Sequence, residues 1–137
     1  MIERLFVDTA YVQALSNVRD QMHDRARALV ARAETAEQWT TEAVLVEIGD
    51  GLAAYDRRFA ATFIRACLIR ARVRVIPVDR PILLKALALF ESRRDKEWGL
   101  TDCISFVVMS QYGIASALTA DRHFVQAGFR ALMLEEF

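Results

Sequence analysis

Cysteine, proline, glycine and histidine are all scarce in this chain. Cys67 and Cys103 are the only thiols among 137 residues. Neither has a neighbouring Cys or His at zinc-binding spacing, so both read as small buried hydrophobes inside helices. With two prolines and five glycines, no Pro/Gly-rich linker divides the chain, and there is no internal repeat or low-complexity segment. An excess of charge is also missing: 18 Lys and Arg cancel 18 Asp and Glu. No global field therefore draws in nucleic acid or membrane, although a local basic patch stays open. No apolar run approaches the ~20 residues that span a bilayer. Met1-Ile2-Glu3-Arg4 begins a strand that a charge interrupts at once, unlike a signal peptide, so a cytoplasmic protein is expected.

What is present suits one domain over residues 1–137. The chain is 54% hydrophobic and 26% charged, long enough for a real core and too apolar for extended disorder. The basic residues are nearly all arginine, and Arg57, Arg58, Arg65, Arg70, Arg72 and Arg74 fall within one third of the sequence.

Strand and helix signals alternate. Leu5 to Val7 reads as a short buried strand, followed by a helix through about Asn17. Asp20 is a plausible start for a second helix with an apolar stripe of Ala26, Leu29, Val30 and Ala33. A weak strand at Gln38-Trp39-Thr40 leads to a helix capped by Thr41, in which Gly51 marks the end or a close packing contact. Asp56 starts a helix with Phe59, Phe63 and Cys67 on its apolar face. A strand from Val73 to Ile76 stops at Pro77, and Asp79 caps a helix with Pro81 in its first turn. After a charged loop at residues 93–99, Thr101 is expected to cap a helix that Gly113 ends. A strand at Ala117 to Thr119, a short helix at Arg122 to Ala127 and a strand at Ala131 to Leu134 complete the series. Alternation of this kind argues for an α/β fold: a parallel sheet of about five strands covered on both faces, a three-layer sandwich.

Against that frame four acids stand out: Asp8, Glu47, Asp102 and Asp121. At least three lie where a strand hands over to a helix, and in a parallel sheet those handovers share one edge. Taken singly, Asp8, Asp102 and Asp121 each suit a helix N-cap. Thr9 and Thr101, however, offer hydroxyl caps beside two of them, which frees the carboxylates for other work. Glu47 interrupts an apolar stretch and has no basic neighbour at helical spacing, so burial would be costly unless it is paired or metal-bound. Like charges gathered in a cleft need a compensating cation. Oxygen-only ligands without His or Cys select Mg²⁺ or Mn²⁺ over zinc. His123 reads as a surface or half-buried side chain in preference to a phosphate contact. Arg93, Arg94 and Lys96 rim the acidic edge, open either to RNA phosphate or simply to solvent. Trp39 and Trp98 read either as the edge of the core, the favoured reading, or as base-stacking platforms. A dehalogenase-like phosphatase would want an acid where Ala10 stands, and a receiver domain would want a late Lys that residues 115–137 lack.

Four segments carry a resemblance: Phe6-Val7-Asp8-Thr9; Thr41-Glu42-Ala43-Val44-Leu45-Val46-Glu47-Ile48; Asp95-Lys96-Glu97-Trp98-Gly99-Leu100-Thr101-Asp102-Cys103-Ile104-Ser105-Phe106; and Leu118-Thr119-Ala120-Asp121-Arg122-His123-Phe124. Together with Gly128-Phe129 they resemble a PIN domain over essentially the whole chain. The resemblance implies a parallel α/β/α sandwich with strand order 3-2-1-4-5. It implies a metal-dependent ribonuclease, with Asp8, Glu47, Asp102 and Asp121 as the catalytic and metal-binding quartet and Thr9 and Thr101 in support. Small stand-alone members are often VapC-type toxins that form homodimers and are held inactive by a cognate antitoxin. An RNA-processing nuclease without an antitoxin, or a non-catalytic PIN-like binding module, are the alternatives. The region from Thr41 to Arg72, with Tyr55, Phe59, Phe63 and Leu68, is the expected partner groove.

Overall fold

The computed structural model describes residues 2–135. Five strands, β1 (Arg4–Val7), β2 (Glu37–Thr41), β3 (Val73–Ile76), β4 (Ser116–Leu118) and β5 (Arg130–Ala131), form one all-parallel sheet in the order β3-β2-β1-β4-β5. Between them run α1 (Thr9–Ser16), α2 (His23–Ala28), α3 (Val30–Thr35), α4 (Glu42–Leu52), α5 (Arg57–Ile69), α6 (Arg80–Ser92), α7 (Leu100–Tyr112) and α8 (Arg122–Gln126). Leu5, Phe6 and Val7 and the whole of β4 are buried. Central strands of a parallel sheet carry helices on both faces and keep no side for water, which is why they read as unbroken apolar runs. The α/β/α sandwich and its strand order are those expected from the resemblance.

Local chemistry sets the boundaries. Thr41 Oγ1 accepts from the Val44 amide at 3.2 Å, Asp56 from Phe59 at 3.0 Å and Asp79 from Ile82 at 3.0 Å, so each caps the helix that follows. Gly113 ends α7 at φ 67°, a left-handed conformation that a Cβ would oppose. Gly51 sits at the end of α4 and close to α1: a methyl added there would meet Gln13 Nε2 at 2.5 Å.

Three expectations need correction. The helix expected from Asp20 starts later, because Asp20 spends its side chain on the Met22 amide (2.8 Å) and its carbonyl on the His23 amide (3.0 Å). It also breaks at Leu29, whose amide turns to the Ala26 carbonyl, giving α2 and α3 instead of one element. Thr101 does not cap α7. Gly99 occupies that position and its amide donates to Asp102 Oδ2 at 3.2 Å, so the carboxylate reaches back from the first turn. The last strand stops at Ala131, and residues Leu132–Leu134 form a 3₁₀ turn in which the Met133 amide bonds the Thr119 carbonyl.

Aromatic rings fill the space beneath the strand ends. Phe106 meets Phe124 and Trp98 edge-on, both at 5.0 Å, and Phe124 lies 6.3 Å from Phe6. Trp39, Trp98 and both cysteines are buried, as their sequence contexts imply. Among the described residues no helix is long and apolar enough to cross a membrane.

Candidate active site

The register of the sheet brings the acids together. Val7 pairs with Leu118, so the residues that follow each strand, Asp8 and Thr119, lie side by side. Thr119 Oγ1 donates to Asp8 Oδ2 at 2.7 Å, and the Asp8 amide bonds the Leu118 carbonyl at 3.3 Å. On the other flank of β1, β2 feeds α4, and Glu47 accepts a hydrogen bond from the Thr9 hydroxyl at 2.5 Å. Asp102 in the first turn of α7 and Asp121 ahead of α8 converge on His123, whose Nδ1 is 3.0 Å from Asp102 Oδ2 and 3.4 Å from Asp121 Oδ1. One cavity of about 550 Å³ is lined by all four acids together with Thr9, Gln13, Asp50 and His123. It opens at the C-terminal ends of the strands, where the strand order reverses between β1 and β4. That crevice is where open α/β sheets bind their ligands.

The electrostatics are those of a site that wants a cation. Asp8 is 4% exposed, and its carboxyl is pushed up to about 7. Burial is the main cause, with the charges of Asp102 and Asp121 adding to it; the hydrogen bonds from Thr119 and the Thr9 amide pull the other way. Asp102 is raised too, first by burial and then by Asp121, against the hydrogen bond with His123. Among the described residues no Lys or Arg lines the cavity. Ionised carboxylates in such a place are unstable without a positive partner.

A divalent cation fits these donors. One ligand atom from each of Asp102, Asp121 and His123 lies within 4.8 Å of the others, and Asp8 and Glu47 face the same cavity. Carboxylate oxygens suit Mg²⁺ and Mn²⁺, and the imidazole suits the transition metal better. The oxygen-only set expected from the sequence thus gains a nitrogen neighbour.

The other sequence candidates divide clearly. Thr9 lines the acidic cavity, whereas Thr101 lies in a separate depression with Glu42, Ala43, Val46 and Val78. Arg93, Arg94 and Lys96 do not line the cavity; Arg93 binds Asp95 through two contacts of 3.1 Å, and Lys96 Nζ lies 3.9 Å from Asp95. Capping and clustering also coexist: Asp121 Oδ1 accepts from the His123 amide at 2.8 Å while facing the site. Of the three acids at helix starts, Asp8 makes no cap bond to α1, and Thr9 turns its hydroxyl to Glu47 instead. Three further polar residues of the cavity, Gln13, Asp50 and His123, are not marked as site residues by the sequence. Asp50 follows Glu47 by three residues and so shares its helix face, a signal that was available. Gln13 and His123 are placed only by how α1 and α8 pack.

Thr119 offers a mild probe. Replacing it with Val removes the hydrogen bond that favours ionised Asp8, so the carboxyl should move further up and compete worse for metal at neutral pH. The expected outcome is about a tenfold weaker apparent Mn²⁺ affinity at pH 7 that recovers at higher pH, measured by calorimetry.

Comparison with known proteins agrees with the geometry. Residues 5–130 match the PIN domain model. The chain is 31% identical over 125 residues to the 23S rRNA-specific endonuclease VapC20 of Mycobacterium tuberculosis, covering 91% of this chain and 95% of that protein. The crystal structure of M. tuberculosis VapC20, described as a sarcin-ricin loop cleaving toxin, aligns with a TM-score of 0.81 at 30% identity over 91% of this chain and 95% of that one. FitAcB from Neisseria gonorrhoeae (TM-score 0.63, 93% of this chain and 94% of that one) and FitAB bound to an IR36 DNA fragment (0.66, 97% and 98%) share the fold, both at 16% identity. The match spans nearly the full length and includes the strand ends that carry the acids: the chain belongs to the PIN domain family.

Proposed function

We propose that this protein is a divalent-metal-dependent endoribonuclease and the toxin of a type II toxin–antitoxin pair, acting in the cytoplasm. The observation that carries the reading is Asp8, a buried carboxylate facing Asp102, Asp121 and Glu47 with no Lys or Arg among the described residues of the cavity. Bound there, Mg²⁺ or Mn²⁺ supplies an acidified water for in-line attack on a phosphodiester and positive charge for the leaving oxygen. The protein's part is placement. Thr119 fixes one oxygen of Asp8, Thr9 fixes one oxygen of Glu47, and His123 holds Asp102. No side chain is required as a covalent nucleophile.

Kinship with VapC20 makes the sarcin-ricin hairpin the first RNA to try. Purified protein should cut it endonucleolytically with Mn²⁺ and stop on adding EDTA, with Glu47→Gln as the inactive control. Cleavage that persists after chelation, or equally in the control, contradicts the reading.

Two open apolar faces support partners. Tyr55, Leu68 and Ile69 are exposed by 57–84% beside the half-buried, stacked Phe59 and Phe63, and this α4–α5 face is the proposed antitoxin seat. On α6, Leu83, Leu84, Leu87 and Phe90 are exposed by 41–57% and follow helical spacing, a face suited to a second copy of the chain. Phe59 and Phe63 also pack on the core, so exposed positions make cleaner probes. Light scattering should find a dimer that Leu87→Asp converts to a folded monomer. A wild-type protein that stays monomeric at high concentration rules out this assembly.

A further inference from the structure

We propose that the cavity between α6, α7 and α8 is a subsite for one unpaired nucleotide of the RNA, next to the acidic cavity and separate from it. The proposal rests on the ribonuclease reading. The cavity measures about 560 Å³, within the ~300–1,000 Å³ of ordinary ligand sites. Its lining contrasts with that of the metal cavity: Lys85 and Arg93 contribute to it, and among the described residues no Asp or Glu does.

The rest of the lining suits a nucleobase. Phe129 is half-buried and stacks on Phe106 at 5.7 Å and 28°, while the Arg93 guanidinium lies 4.9 Å from the Trp98 ring centroid. Unstacked bases pack on such aromatic and guanidinium planes. Trp98 Nε1 donates to Gln126 Oε1 at 2.9 Å, which leaves the Gln126 N–H groups, with Ser110 and Gln111, without side-chain partners among the described residues. These can meet a base edge. Arg93 is already shared with Asp95, whereas Lys85 makes no ion pair among the described residues, which assigns Lys85 to the phosphate. A purely apolar protein anchor would instead desolvate Lys85 without compensation.

Two short stretches of chain tie this cavity to the acids. Trp98 adjoins Gly99, whose amide bonds Asp102, and Gln126 shares α8 with His123. Four residues span at most ~14 Å, so the subsite lies within reach of a nucleotide flanking the cut.

The test is amide and indole NMR of the full chain in EDTA, titrated with adenosine and uridine 5′-monophosphates, adenosine, inorganic phosphate and benzyl alcohol. The mononucleotides should shift the Trp98 indole and Gln126 side-chain resonances saturably, adenosine should bind about tenfold more weakly, and Lys85→Glu should reduce the mononucleotides to that level. Lys85 is exposed, so the variant should fold. The proposal is overturned if these resonances do not move, if Lys85→Glu binds like wild type, or if benzyl alcohol binds as well as the mononucleotides, which would mark an apolar protein anchor site. Binding without metal is independent of cleavage. A nuclease that shows no shift loses the subsite alone, and a binder that cuts no RNA loses the nuclease reading alone.

Discussion

Asp8→Asn should lower RNA cleavage by at least about a thousandfold, ~4 kcal/mol of transition-state stabilisation, while making the metal-free protein more stable at pH 8. The two effects have one cause. In the folded chain Asp8 holds its proton up to about pH 7, whereas the unfolded chain releases it near the ordinary carboxylate value of 3.8. Between those values the folded state binds more protons. Asp8 therefore favours folding fully below about pH 4 and loses that contribution as pH rises through about 7. At pH 8 the ionised group costs on the order of 2–4 kcal/mol, and asparagine, still able to accept the Thr119 hydrogen bond, avoids it. Asp102 is raised as well and acts in the same direction. Glu3, lowered chiefly by its hydrogen bond with Arg32, works oppositely, its stabilisation being lost as the pH falls. Urea unfolding in EDTA at pH 5 and pH 8 separates these effects. The gain from Asp8→Asn should be clearly larger at the higher pH, and equal destabilisation at both would make Asp8 a structural residue.

Manganese should raise the melting temperature of the wild-type protein by roughly 8 °C at a hundred times its dissociation constant. That is about 2.7 kcal/mol of mass-action stabilisation at roughly 3 °C per kcal/mol for a domain of this size. Asp8→Asn should lose most of the shift. Asp102→Asn is more informative, because Asp102 both faces the cavity and receives the Gly99 amide. Asparagine keeps an acceptor for that amide and removes one repelling charge, so stability in EDTA should stay near wild type while the metal shift shrinks. An Asp102→Asn protein that is strongly destabilised in EDTA yet gains the full shift would reduce Asp102 to a helix cap.

Much of this arrangement was legible in the sequence because the physics is local. Buried parallel strands appear as unbroken apolar runs, and Thr41, Asp56 and Asp79 announce their helices with capping side chains. An acid just past a strand is confined to the ligand-binding edge by the parallel topology alone. What was illegible depends on contacts between distant segments. Thr9 had two uses, cap or partner of Glu47, and only the packing of α1 on α4 selects the second. His123 enters the cluster because α8 lies against α7, and Arg93 leaves the acidic rim because Asp95 and Trp98 hold it elsewhere. The broken helix at Leu29 and the short β5 reflect backbone hydrogen bonds for which side-chain periodicity carries no signal.

The carboxylates at the β1–β4 reversal are proposed to hold a metal ion. Crystals soaked in Mn²⁺ and measured for anomalous scattering test it directly. One peak, or a close pair, is expected in the cavity bounded by Asp8, Asp102 and Asp121, and it should disappear in Asp8→Asn crystals. An empty cavity at saturating Mn²⁺, or a peak that survives the substitution unchanged, would contradict it.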